Sequence, residues 1–155
     1  MFRPIPSQRV LTVTMLFVSV VATTAPLHGA DTLPLAASTA LAWRAGLWLF
    51  MFSAVSGFAM GGRLRHSVGG DDREPGRRIV DWNKTHGDLR APHFFAMHAL
   101  QVIPAVGLAL AWLPVAEQTR TAVVAGSSLG YAAVCVATFV LSVRGRPLSW
   151  RRVAR

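Results

Sequence analysis

The sequence predicts an all-α fold, an integral membrane four-helix bundle with both termini cytoplasmic, and three observations carry that reading. Apolar residues make up 52% of the 155-residue chain and charged ones only 15%, so most of the protein belongs in lipid. Four apolar stretches, 10–25, 38–61, 94–115 and 121–143, are candidates to cross a hydrocarbon core that takes about 20 helical residues. Arginine and lysine gather on one side of these stretches. Together they make one four-span domain over 1–155, with one substantial loop at 62–92.

The first span could serve as a signal peptide, since Arg3 and Arg9 precede the apolar run 11–22. Its cleavage signals are poor. Pro26 blocks cleavage after Ala25, and His28 stands where Ala30 would need a small residue, leaving only Val20-Val21-Ala22. A retained helix is expected. In the second span Ser53, Gly57 and Gly61 recur every four residues, as Ala122, Gly126 and Gly130 do in the fourth. Such stripes let backbones approach closely, which predicts contact between these two spans or a homodimer seam. Arg44 lies two turns into the second span, from where its stem carries the guanidinium to the outer interface. Asp31 and Glu117 are the acidic residues on that side.

Pro92 suits the first turn of the third span. Pro104 removes the N–H that would meet the Leu100 carbonyl, which predicts a kink just beyond Gln101 and space beside His98. In the fourth span Cys135 is the chain's single cysteine. It can form no disulfide within one chain and is expected as a small core residue.

Arg63, Arg65, Arg73, Arg77, Arg78, Lys84 and Arg90, with the terminal arginines, all fall on one side, and only Arg44 and Arg120 fall near the other. The retention of basic residues in the cytoplasm places both termini and the 62–92 loop there. The formal net charge of +9 does not call for nucleic acid, because no basic face with base-stacking or groove-reading elements accompanies it. A lipid bilayer with anionic headgroups accounts for the same arginines. Trp43 and Trp112 at the outer boundary, and Trp82 and Trp150 at the inner one, read as interfacial anchors. Between the second and third spans, Gly69-Gly70, Asp71-Asp72 and Pro75-Gly76 are turn signals in a segment too short for a core of its own.

The strongest functional signal is the run Gly87-Asp88-Leu89-Arg90, followed by His93, His98 and Gln101 within an apolar stretch where polar side chains are costly. At about 100° per residue His93 and His98 stand about 140° apart around the axis and about 7.5 Å apart along it, so they do not chelate one metal. His98 and Gln101 share a face. His66 and His86 flank the spans on the cytoplasmic side, but no recognised metal-ligand spacing appears among them. Haem b requires only two axial histidines and a slot between helices. Alternatively, His98 and Gln101 bond across helices as structural glue. Asp88 caps the third span while Arg90 meets headgroups, or the two order the loop over a site containing His93.

The run Gly87-Asp88-Leu89-Arg90, then His93-Phe94, His98-Ala99-Leu100-Gln101 and Pro104, resembles a segment of small bacterial four-helix membrane proteins. The resemblance spans residues 87–104. It implies an inner-membrane location and a four-span layout, and brings no activity with it. The expected role is a non-enzymatic binding or accessory subunit organised around the polar segment, in a homodimer or with a membrane-complex partner. The alternative is a haem b protein exchanging electrons with quinone through His93 or His98 with His66. A second alternative is transport of a small ligand or lipid by an oligomer. Acid–base enzyme chemistry is disfavoured, because no carboxylate lies beside a histidine within the membrane.

Overall fold

Hydrocarbon offers backbone amides no partner, so a crossing segment must satisfy its own hydrogen bonds. The computed structural model describes residues 35–148 apart from 75, 77 and 78. It contains three long helices, α1 (Ala37–Arg63), α2 (Arg90–Ala111) and α3 (Glu117–Val143). All three are long and apolar enough to cross a membrane, and only 17–22% of each apolar window is buried among the described residues. The remaining surface suits lipid, and the chain is a small multi-pass helical membrane protein. The stretch 10–25 and Trp150 lie outside the described residues.

Small side chains set the closest helix pair. Ser38, Ala42 and Gly46 are buried on one stripe of α1, facing Ala99, Ile103 and Gly107 of α2. A Cβ on Gly107 would stand 2.7 Å from that of Ala42, and one on Gly46 would stand 3.0 Å from the Ala99 carbonyl oxygen and the Pro104 ring. The backbones therefore meet almost directly, which maximises dispersion where no hydrophobic drive exists between helices. Val124 of α3 completes the buried cluster with Ala42 and Ile103. Tyr131 reaches across from α3 and donates its hydroxyl to the Phe95 carbonyl at 2.8 Å.

This corrects the expected pairing of small-residue stripes. Ser53 is buried and Gly57 faces His93 of α2, whereas Cβ atoms on Gly61, Gly126 and Gly130 would meet nothing within 4 Å among the described residues. α3 turns Val124, Cys135, Thr138 and Ser142 inward, and Gly126, two residues from Val124, is rotated about 200° away. Pro104 faces the same α1 seam, so any widening at the proline serves that seam and not the outward-facing His98. α2 runs unbroken from Arg90 through Pro104 to Ala111.

At the end of the bundle distant from most arginines, the Glu117 carboxylate accepts the Ser38 N–H at 2.7 Å, tying α3 to the first turn of α1. At the arginine-rich end, the described residues of 64–89 fold onto the helices through a two-stranded antiparallel ladder, β1 (Ser67–Val68) and β2 (Gly87–Asp88). The segment expected as a plain connector is thus tied down.

α1 closes in a Schellman-type pattern, with Arg65 N–H on the Met60 carbonyl, Leu64 N–H on that of Gly61, and Leu64 in the left-handed region at φ 52°. A leucine there is strained by about 1 kcal/mol or more. Leu64→Gly is therefore expected to raise the melting temperature in detergent, while Leu64→Ala, which keeps a Cβ, gives no gain. Equal melting for all three proteins would show that the turn stores no strain.

Candidate functional site

The six residues singled out by sequence divide into three places. Asp88, Arg90 and His66 meet at the arginine-rich end, His93 enters the α1–α2 seam, and His98 with Gln101 faces outward.

Asp88 is the hub of the first group and is only 4% exposed. Its carboxylate accepts the Asn83 N–H at 2.9 Å, the Arg90 N–H at 3.0 Å, and the Arg90 guanidinium at 2.8–3.2 Å. The carboxylate thereby satisfies an unpaired amide of the first turn and places negative charge at the positive end of α2. That explains why α2 begins at Arg90 and not four residues later. Burial pushes the Asp88 carboxyl up, but the Arg90 side chain and the Asn83 and Arg90 amides outweigh it, holding the group below the usual carboxylate value. The guanidinium also bonds the Asp81 carbonyl, and the Asp88 carbonyl accepts the Ser142 hydroxyl at 2.7 Å. A single residue thus joins the loop, α2 and the end of α3.

His66 places Nδ1 3.5 Å from Asp88 and 3.6 Å from Asp72, and its carbonyl accepts the Leu89 N–H at 2.9 Å. Asp72 accepts the amides of Ser67 at 2.8 Å and His66 at 3.3 Å. Burial raises its carboxyl, the hydrogen bonds from Ser67 and His66 lower it, and the net direction is down. Buried Asn83 takes the amides of Thr85 and His86 on its side-chain oxygen, both at 2.9 Å. The sequence pointed to no role for Asn83, and marked Asp72 only as part of a turn signal. Their signal was the habit of Asx side chains to bond nearby amides and so build turns.

His93 points into α1. Its Nδ1 lies 2.9 Å from the Ser53 carbonyl oxygen, an acceptor, so Nδ1 carries the proton and donates. The Ser56 hydroxyl bonds the same carbonyl at 2.9 Å. Gly57 leaves room for the ring, with His93 Cε1 3.5 Å from where a Cβ would be. His93 is thus a strut between helices, built on the one part of the predicted Ser53–Gly57 stripe that is used.

His98 and Gln101 are both exposed. His98 Nδ1–H donates to the Phe94 carbonyl one turn back at 2.8 Å, and its ring stacks on Phe94 with centroids 4.0 Å apart. Gln101, with its NH2 toward the helix, reaches the Met97 and His98 carbonyls at 3.2 and 3.1 Å. Among the described residues their hydrogen-bond partners all belong to α2 itself. Trp82 packs on Phe94 and Phe95 at centroid distances of 5.6 and 5.7 Å, so this residue clamps the start of α2 in addition to any interfacial role.

No family model matches the chain, and no curated protein or solved structure matches it. Among the described residues, no group of three or more His, Cys, Asp or Glu side chains is placed to hold a metal ion. The three groups therefore offer an ordered charged knot, a helix strut and a polar outward face.

Proposed function

We propose that this protein is a non-enzymatic accessory or binding subunit of the bacterial inner membrane, docking to its partner through the outward face of α2. In this reading residues 10–25 form a fourth span, and both termini and the Asp88 knot lie in the cytoplasm among anionic headgroups. The observation that supports it is the outward pair His98 and Gln101, which project from an apolar helix and, among the described residues, bond only that helix's carbonyls. Polar side chains facing hydrocarbon are rare and mark contacts with other polar groups, and a partner helix supplies such groups. The resemblance of residues 87–104 to small four-helix membrane proteins fits the same layout.

Photo-crosslinking in native membranes tests this. A benzophenone side chain at position 98 or 101 is expected to give a discrete protein adduct, and one at Leu129, which is 73% exposed on α3, is expected to give none. Lipid adducts alone at all three positions would overturn the docking role.

One observation keeps haem b as a second reading. Both His93 and His98 commit Nδ1–H to backbone carbonyls, the arrangement that leaves Nε2 as a ligand atom. The two rings serve different faces of α2, and His66 lies in the knot beside two carboxylates, which favours a ligand pair drawn from two chains. In this reading a haem bridges to another chain through His98. A Soret band that shifts on reduction and disappears in His98→Ala would establish it. Transport draws less support, because the polar residues gather at one end and on one outward face and not along a path.

A further inference from the structure

Among the described residues the α2–α3 pair leaves, at the arginine-rich end, an apolar groove of about 470 Å³, walled by Phe95 of α2 and by Val134, Ala137 and Leu141 of α3. Its third wall is a consequence of one glycine. Gly145 adopts φ 70°, a left-handed conformation natural to glycine, and closes α3 with Arg146 N–H on the Leu141 carbonyl at 2.9 Å and Gly145 N–H on that of Ser142 at 3.0 Å. The chain is thereby turned so that Arg146, Pro147 and Leu148 line the same groove.

Three properties define what fits. The helical walls are apolar, since the Thr138 hydroxyl, which also borders the groove, donates to the Val134 and Cys135 carbonyls. The groove extends from the end of α3 to Val134, nine residues or about 13 Å along the axis, close to half of a hydrocarbon core about 30 Å thick. Arg146 is the charged lining residue and lies beyond the helix end, where headgroups are, with exposed Arg144 nearby.

From these we infer that the groove is a binding site for an anionic phospholipid, one acyl chain lying along α3 and the phosphate paired with Arg146. Apolar length matched to one leaflet and a guanidinium at its polar end together select a lipid of that charge over a zwitterionic one. The inference rests on the helices crossing a membrane and is independent of the docking role given to His98.

The test is native mass spectrometry of the full-length protein released from mild detergent with added phosphatidylglycerol or, separately, phosphatidylcholine. The wild type is expected to retain phosphatidylglycerol preferentially. Arg146→Gln should weaken that retention about fivefold, the loss of one basic residue at a membrane surface. Ala137→Trp, on an exposed position, should fill the groove and weaken it at least about tenfold through lost acyl burial. Equal retention of the two lipids by the wild type, or retention unchanged by Arg146→Gln, would overturn the proposal even if the tryptophan variant failed to fold. Phosphatidylglycerol binding that emerges only on truncation after Leu148 would assign the groove to the chain's own residues 149–155 and overturn it equally.

Discussion

Gly87→Ala is expected to be strongly damaging although it adds a single methyl group. A Cβ at position 87 would lie 2.1 Å from the Ser142 carbonyl oxygen and 3.0 Å from the Gly145 Cα. Both neighbours are backbone, and Ser142 is held by its own hydroxyl on the Asp88 carbonyl, so neither can rotate aside. The strand must leave the end of α3, and with it the Val68–Gly87 pairing. Overpacking of this kind costs about 3 kcal/mol or more when backbone has to move. The check is thermal melting in detergent together with limited proteolysis of the 64–89 segment. Gly62→Ala is the control, since a Cβ there meets nothing within 4 Å. Matching melting temperatures for the two variants would refute the close packing of β2 on α3.

Asp88→Ala is the second large effect. It takes the carboxylate from the Arg90 guanidinium, which keeps its Asp81 contacts, and from two backbone amides, and with Asp88 buried but Arg90 a third exposed the loss is about 2 kcal/mol. Asp88→Asn keeps the shape but loses the charge, and should fall between wild type and alanine. The same carboxylate gives the protein an acid-sensitive element. Its value in the folded protein lies below the ordinary one, so its contribution is complete above about pH 4, the unfolded carboxylate value. That contribution is lost as pH falls through the folded value. Asp72 shifts the same way and adds to the effect. Melting temperature measured from pH 7 down to pH 3 should therefore drop more steeply for wild type than for Asp88→Asn. Parallel curves would show that Asp88 does not titrate into the loss.

How much of this was legible in sequence depends on the range over which each feature is encoded. The three long apolar helices followed from runs of side chains that lipid tolerates, because the cost of transferring each residue is local and additive along the run. Their ends were less legible. The third span was expected from 94, yet α2 starts at Arg90, because the carboxylate that stabilises its first turn bonds the Asn83 amide as well. The fourth was expected from 121, yet α3 starts at Glu117, whose side chain serves the first turn of α1. In both cases a helix start is shaped by a contact with residues outside that helix.

The candidate site shows the same division. The spacing of His93 and His98 already excluded a shared metal, since helical geometry fixes their angle, and placed His98 with Gln101 on one face. Spacing alone could not tell which of the two faces would meet α1. That was decided by Ala42, Gly46 and Gly107, whose missing bulk lets the α1 and α2 backbones touch and so turns His93 inward to Ser53 and His98 outward. The visible glycine repeat of Gly126 and Gly130, by contrast, faces away from the other two helices.

What the sequence alone determined is that the chain is helical and apolar enough to cross a membrane more than once, because the hydrocarbon solvent acts on each segment independently. Only the tertiary structure decided that His66, Asn83 and Arg90 gather in a knot around Asp88 and that the histidines belong to separate places. A hydrogen bond from Ser142 to Asp88 or from His93 to Ser53 joins residues 54 and 40 positions apart. Such bonds exist only after the helices have packed, and no local pattern encodes them.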